Sequence, residues 1–254
     1  MKRMAFIGAV ALSMAACGGG GSSSSSGGGN EPAANTDAAA GFWVGTTNTG
    51  LSVAGVVLTD TRYYFPYFTA EGALGGVIAG NGNASADSFT SSNALDYQFD
   101  GGIVPGDISA SLVEKQLLSG TATYSDDSGT VEFSTGYDDY WETTPELAAI
   151  TGTWNGWAET FVGGEGATVT IAGTGSVSAV GAGGCSFSGT VAPRTDGNVY
   201  NMQITAANSD LCAPEYKGKT LKGVVILVEG EIVVMGTVTQ NRRHGVFFSG
   251  MPAT

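Results

Sequence analysis

Hydrophobic and polar residues alternate over short runs along most of the chain, and turn residues such as glycine and aspartate separate the runs. Residues 224–238 carry two such runs on either side of Glu229-Gly230, where glycine supplies the positive φ that a tight hairpin requires. A similar pair of runs flanks Asp60. After the N-terminal region, no segment keeps a helical period for longer than about two turns. The pattern predicts an all-β fold of antiparallel strands, arranged as barrels or sandwiches.

The same short motif opens two segments of similar length. It reads Gly-x-Trp-x-Gly and occurs at residues 41–47, around Trp43, and at residues 152–160, around Trp154. The middle of each segment carries a Ser-Gly-Thr strand. This self-similarity predicts two tandem β modules.

A short helix is expected where the first module ends. Thr144 is a favourable N-cap, and Pro145 would lie in the first turn, where its missing N–H has no cost. Thr151 and Gly152 end the apolar run that follows. The predicted organisation is a signal peptide, a disordered tether and two β modules, which span residues 1–16, 17–40, 41–147 and 148–254.

The N-terminus has the three-part layout of a secretory signal, with a basic start, an apolar run from Met4 to Met14 and two small residues. The run is about 11 residues long, too short to cross a bilayer core of roughly 30 Å as a helix. Met14-Ala15-Ala16-Cys17 resembles the bacterial lipobox, although Met14 replaces the usual Leu. The resemblance implies that Cys17 is lipidated; an ordinary secreted protein with an unmodified Cys17 is the alternative.

A tether rich in glycine and serine follows Cys17, and such a sequence behaves as a flexible coil. With several acyl chains on Cys17, the protein would stay on a membrane without spanning it. By analogy with the sorting of Gram-negative lipoproteins, Gly18 in place of Asp favours the outer membrane. The chain as a whole resembles the outer-membrane lipoproteins of Gram-negative bacteria. The expected location is therefore the outer membrane, lipid-anchored, on the periplasmic face or at the cell surface.

Charge excludes one class of partner. The chain has 10 Lys and Arg against 23 Asp and Glu, which gives a net charge of -13. Binding of nucleic acid or anionic lipid begins with basic side chains against phosphate. We therefore expect no nucleic-acid partner.

Two cysteines remain after Cys17, and an exported chain matures in an oxidising compartment. We therefore predict a disulfide between Cys185 and Cys212. A metal site is the competing interpretation, but His244 is the only histidine and the chain has no Cys-x-x-Cys spacing. We expect neither a metal nor a cofactor.

An aromatic cluster, "RYYFPYF" at residues 62–68, is the first candidate binding surface. Alternation along a strand sends its aromatic rings to both faces, and exposed aromatics anchor protein interfaces or stack on flat ligands. The alternative is a strand that lies between two packed layers. The candidate residues in this cluster are Tyr63, Tyr64, Tyr67 and Phe68.

A second candidate surface combines acidic and aromatic residues near the end of the first module. Its acids lack the spacing of a calcium-binding loop, so a solvated acidic loop is the simpler interpretation. The aromatics among them suit a recognition loop between the modules. The acids are Asp126, Asp127, Asp138, Asp139 and Glu142, and the aromatics are Tyr137, Tyr140 and Trp141.

The Gly-x-Trp motif also resembles the start of lipocalin and avidin-like barrels. The resemblance implies that the tryptophan closes the base of a barrel and that an arginine from a late strand packs across it. In the second module that arginine would be Arg242 or Arg243. The family function, carriage of a small apolar ligand inside the barrel, is one hypothesis for this chain.

Catalysis is not expected, because the chain has a single histidine and lacks a Gly-x-Ser-x-Gly elbow. A glycosidase with two carboxylates stays open, since such a pair is recognised by its separation in space. The leading hypothesis is an anchored module that binds a protein partner. The carrier of an apolar ligand comes second and an envelope hydrolase third.

Overall fold

The structure is a computed structural model that describes residues 37–99, 101–126, 129–160 and 163–253. The predicted signal peptide, Cys17 and nearly all of the predicted tether lie outside the described residues. The described chain folds almost entirely into antiparallel β-strands that form two closed eight-stranded barrels in tandem. The prediction of an all-β fold with two modules is confirmed, and both modules are barrels rather than sandwiches.

The strands of the first barrel are β1 (Gly41–Thr47), β2 (Ser52–Val57), β3 (Arg62–Phe68), β4 (Leu74–Asn81), β5 (Asn83–Ala84), β6 (Ser88–Gln98), β7 (Gly102–Val113), β8 (Leu117–Tyr124) and β9 (Thr130–Asp138). Consecutive strands pair with each other except at the two-residue strand β5, which attaches only to β6, so that β4 pairs directly with β6. Pairing of β1 with β9 completes the barrel.

The second barrel is a simple meander that closes where its last strand pairs with its first. The predicted hairpin at Glu229-Gly230 is confirmed, and both residues have positive φ angles, 51° and 84°. The strands are β10 (Gly152–Thr160), β11 (Gly163–Ile171), β12 (Ser176–Gly181), β13 (Ser186–Pro193), β14 (Tyr200–Ala206), β15 (Thr220–Val228), β16 (Glu231–Val238) and β17 (Gly245–Pro252).

A 3₁₀ turn (Asp139–Glu142) and a short helix, α1 (Leu147–Ile150), connect the barrels. The predicted helix start at Thr144 is wrong, because the residue that precedes the helix is Glu146 in an extended conformation. The Tyr200 hydroxyl donates a hydrogen bond of 2.8 Å to the Glu146 carbonyl. This contact from the second barrel holds the segment before the helix.

The two motif tryptophans occupy equivalent places. Trp43 is 0% exposed, and its indole N–H donates to the Ala39 carbonyl at 2.9 Å. Trp154 is 4% exposed, and its indole N–H donates to the Ile150 carbonyl at 2.9 Å. In both modules the acceptor lies four residues before the tryptophan. We call this end of each barrel the base and the opposite end the mouth.

The barrels lie side by side and share an apolar cluster between their outer walls. It joins the outward faces of β2, β3, β4 and β6 to those of β15, β16 and β17. Because the same strands also line the barrel interiors, they are buried on both faces. The members of the shared cluster are Phe42, Val56, Leu58, Tyr64, Val77, Ala79, Tyr97, Trp141, Val199, Val224, Ile226, Met235 and Phe247.

Polar contacts fix how the barrels are aligned. On the base side, the Arg194 guanidinium contacts Asp60 of the first barrel at 3.0 Å and Asp196 at 2.6 Å. On the mouth side, the Tyr97 hydroxyl donates to the Arg242 carbonyl. The bases of the two barrels therefore lie on one side of the molecule, and the mouths lie on the other.

Arg242, one of the two arginines that the lipocalin resemblance points to, takes part in the contact between the barrels. Its guanidinium donates to the carbonyls of Ala79 at 2.8 Å and Asn93 at 3.1 Å, both in the first barrel. The side chain thus links the modules.

Candidate ligand-binding cavities

The first aromatic cluster does not form an exposed surface. Tyr63 points into the first barrel and donates to the Ser91 hydroxyl at 2.9 Å. Tyr64 points outward and is buried in the shared cluster between the barrels. The expectation of an exposed aromatic face is wrong here, because the second barrel covers the outer face of β3. The alternative, a strand between two packed layers, is confirmed.

The aromatics of the second candidate surface, Tyr137, Tyr140 and Trp141, lie near the junction between the barrels. The Trp141 ring is buried and packs edge-on against Phe42, with 5.4 Å between ring centroids. Tyr140 is 38% exposed, and its hydroxyl donates to the Leu227 carbonyl at 2.9 Å. The Tyr137 ring packs edge-on against Trp43 at 5.5 Å. The Tyr140 contact links the connector to the second barrel, whereas the other two contacts pack against the first barrel. Because Trp141 is buried, the three side chains form no continuous exposed aromatic patch.

Within the described residues, no three His, Cys, Asp or Glu side chains come close enough together to hold a metal ion.

The part of the chain that the structure describes contains no helix long and apolar enough to cross a membrane.

The first barrel contains a cavity of about 320 Å³ between its base and its mouth. Inward-facing aliphatic and aromatic side chains form most of its wall, and alternation along each strand places them there. Glycine at position 55 leaves room for the Phe65 ring, since a Cβ atom there would lie 2.1 Å from it. The main apolar wall residues are Val53, Phe65, Ile78, Phe89, Ile108, Leu118, Ala122, Val131 and Phe133.

A polar cluster interrupts this apolar wall toward the mouth. Asp96 accepts hydrogen bonds from the Tyr67 hydroxyl at 3.0 Å and from the Gln98 amide at 3.0 Å. A side-chain hydrogen bond also links it to Tyr124. Asp96 is 2% exposed, and burial raises the pKa of its carboxyl group in spite of these three hydrogen bonds.

Of the predicted binding residues, Tyr67 lines this cavity, whereas Phe68 follows it on the opposite face of the strand. Sequence reasoning missed Asp96 and Gln98. Their signal in the sequence is the alternation along "LDYQ", where Asp96 and Gln98 share one face of a strand and Leu95 and Tyr97 share the other.

The second barrel holds a cavity of about 290 Å³. The long loop of residues 207–219 lies at its mouth and contributes Leu211, Ala213 and Tyr216 to the wall. The predicted disulfide between Cys185 and Cys212 is confirmed, and it ties this loop to the start of β13. The main apolar residues of the barrel wall are Ala167, Val169, Ile171, Phe187, Met202, Ile204, Val225, Val234 and Phe248.

No protein-family model matches the chain, and no curated protein matches it. Solved structures with a similar chain path include a protein of unknown function from the DUF3598 family of Nostoc punctiforme, with 9% identity and a TM-score of 0.32. Another is a Bacteroides fragilis protein provisionally named an outer membrane protein, with 14% identity and a TM-score of 0.26. Each match covers 86% of this chain and 99% of the other. At these TM-scores neither likeness bears on the function of the chain.

Proposed function

We propose that the protein binds small apolar molecules inside its two barrels and has no catalytic role. The observation that carries this proposal is the apolar cavity that each barrel keeps, about 320 Å³ in the first and about 290 Å³ in the second. Ligand pockets have volumes of roughly 300–1,000 Å³ and combine apolar walls with a few placed polar groups. The first cavity has that composition, with Asp96 and its partners as the polar group.

Burial of β3, the strand that carries the aromatic cluster, weakens the hypothesis that this cluster binds a protein partner. Both faces of β3 are buried at Tyr63 and Tyr64, one inside the barrel and one against its neighbour. A surface that anchors a partner must be accessible before the partner arrives. The barrel interiors are therefore the better candidate sites.

Filling either cavity should remove one binding site. Ala122 lines the first cavity and Ala167 the second, so phenylalanine at either position would occupy space that a ligand needs. In a titration with the fluorescent apolar probe N-phenyl-1-naphthylamine, we expect two sites in the native protein. Ala122→Phe and Ala167→Phe should each leave one site, and the double variant should leave none.

Matched controls place the same ring on the outside of the same strands. Thr123 and Thr170 are exposed neighbours on β8 and β11. Thr123→Phe and Thr170→Phe should therefore keep both sites. The proposal fails if the native protein does not bind the probe, or if the double filling variant, folded by circular dichroism, binds it as the native protein does.

We also propose that lipidated Cys17 anchors the protein to the outer membrane. Multiple acyl chains give stable membrane binding, and the lipobox resemblance of residues 14–17 supports the modification. Cys17→Ala should shift the protein from the membrane fraction to the soluble periplasmic fraction, whereas Ser22→Ala in the tether should not. Unchanged partitioning of Cys17→Ala would refute the anchor. Protease treatment of intact cells would then distinguish the cell surface from the periplasmic face.

A further inference from the structure

Asp96 sets the first cavity apart from an ordinary apolar barrel interior. It lies on β6 at a position that alternation directs inward, and it lines the cavity together with Phe65 and Ile78 from neighbouring strands. A carboxyl group in such surroundings lowers stability unless hydrogen bonds or an opposite charge compensate for the loss of water.

The hydrogen-bond donors that the described residues offer to Asp96 are neutral. The donors are the Tyr67 and Tyr124 hydroxyls and the Gln98 amide. Among the residues that the structure describes, no Lys, Arg or His side chain forms an ion pair with Asp96. Asp126, which is also acidic, acts on it as well. The wall therefore presents a carboxyl group that has no basic partner among the described residues.

Building on the proposed function, we propose that the first barrel binds apolar molecules that carry a primary amine. The ammonium group would pair with the Asp96 carboxylate, and the apolar part would fill the chamber between that carboxylate and the base. A charged hydrogen bond in a water-poor site is stronger than a neutral one. An amine should therefore bind more tightly than an alcohol of the same length. A carboxylate of the same length would be repelled.

The volume limits the size of the ligand. A water molecule takes up about 30 Å³ in the liquid, so a cavity of about 320 Å³ holds roughly ten groups of that size. A linear amine such as 1-aminodecane matches this capacity. The second cavity differs, because its carboxylate, Glu165, is only partly buried and accepts the Gly183 backbone N–H at 2.6 Å.

Competition against N-phenyl-1-naphthylamine tests the proposal. The assay uses the full chain with Ala167→Phe, in which the second cavity is filled, and compares 1-aminodecane, 1-decanol and decanoate as competitors. We expect the amine to bind about tenfold more tightly than the alcohol, and decanoate to bind most weakly. Asp96→Asn should abolish the preference for the amine. Asp107→Asn, an equal charge change at an exposed outward position on β7, should keep it.

The pH dependence supplies a second measurement. Protonation of Asp96 removes the charge that pairs with the ammonium, and burial raises the pKa of this carboxyl. The groups that face it are Tyr67, Gln98, Tyr124 and Asp126. Amine binding should therefore weaken as the pH falls, at a higher pH than for an exposed aspartate, whereas alcohol binding should change little.

Different results would contradict the proposed function and the proposed preference for amines. Loss of probe binding in the native protein contradicts the proposed function itself. A bound probe that all three competitors displace equally overturns the amine preference and leaves the barrel as a general apolar site. An amine preference that survives in a folded Asp96→Asn variant also overturns it. If Asp96→Asn does not fold, the pH dependence of the native protein provides the test. An amine affinity that does not change with pH would also overturn the proposed pairing with Asp96.

Discussion

Trp43→Ala is expected to lower the free energy of unfolding by about 3–5 kcal/mol, the usual cost of truncating a buried tryptophan. The side chain is 0% exposed and lies at the centre of the base of the first barrel. Its removal would leave the Ala39 carbonyl without the indole N–H and the Tyr137 ring without its edge contact. Trp154→Ala should lower the free energy of unfolding by a similar amount, since the Trp154 indole makes the equivalent hydrogen bond.

Trp157→Ala is the matched control for both variants. It removes the same side chain from the same strand as Trp154, but this ring is 52% exposed. An exposed substitution of this kind usually changes stability by about 0.5 kcal/mol or less. Chemical denaturation followed by circular dichroism measures all three variants without relying on tryptophan fluorescence. If Trp157→Ala lowered the free energy of unfolding as much as Trp43→Ala does, the inference that the buried tryptophans at the bases stabilise the barrels would be contradicted.

Removing the disulfide is expected to destabilise the second barrel by roughly 3–4 kcal/mol. Cys185 and Cys212 are separated by 27 residues, and the bond restricts the unfolded chain over that loop. The bond also fixes the loop of residues 207–219 at the mouth, where Leu211 and Tyr216 line the cavity. Replacing both cysteines with Ala should therefore lower the melting temperature and weaken the probe site in the second barrel, while the site in the first barrel is unchanged.

Reductant provides the control for this prediction. The native protein should melt at a lower temperature with reductant than without it, and the variant with both cysteines replaced should melt identically in the two conditions. Cys17→Ala, which leaves the bond intact, should respond to reductant as the native protein does. Identical melts of the native protein with and without reductant would contradict a stabilising disulfide.

Local signals in the sequence were enough to predict the strands and the tandem modules. Alternating residues and turn glycines determine strands and hairpins within a few residues, as at Glu229-Gly230. The repeated Gly-x-Trp motif indicated the duplication. The predicted helix start at Thr144 was wrong, since Glu146 is still extended and its carbonyl accepts a hydrogen bond from Tyr200, far along the chain. No pattern within the segment itself contains that contact.

The binding site was predictable only in part, because alternation separates two faces without saying which one is inside. On β6, Leu95 and Tyr97 resemble core residues, and Asp96 and Gln98 resemble a solvent face. The structure reverses this assignment. The apolar face packs toward the second barrel, and the polar face lines the cavity. Only knowledge of how the barrels pack could have corrected the interpretation.

The chain reaches the first barrel at its base, where Ala38 and Ala39 are buried beneath Trp43. Since both bases lie on one side of the molecule, both mouths open on the other. If Cys17 holds the anchor, the tether reaches the folded part at the end of the first barrel opposite its mouth. The attachment therefore does not obstruct the openings, and ligands can enter and leave both barrels while the protein stays on the membrane.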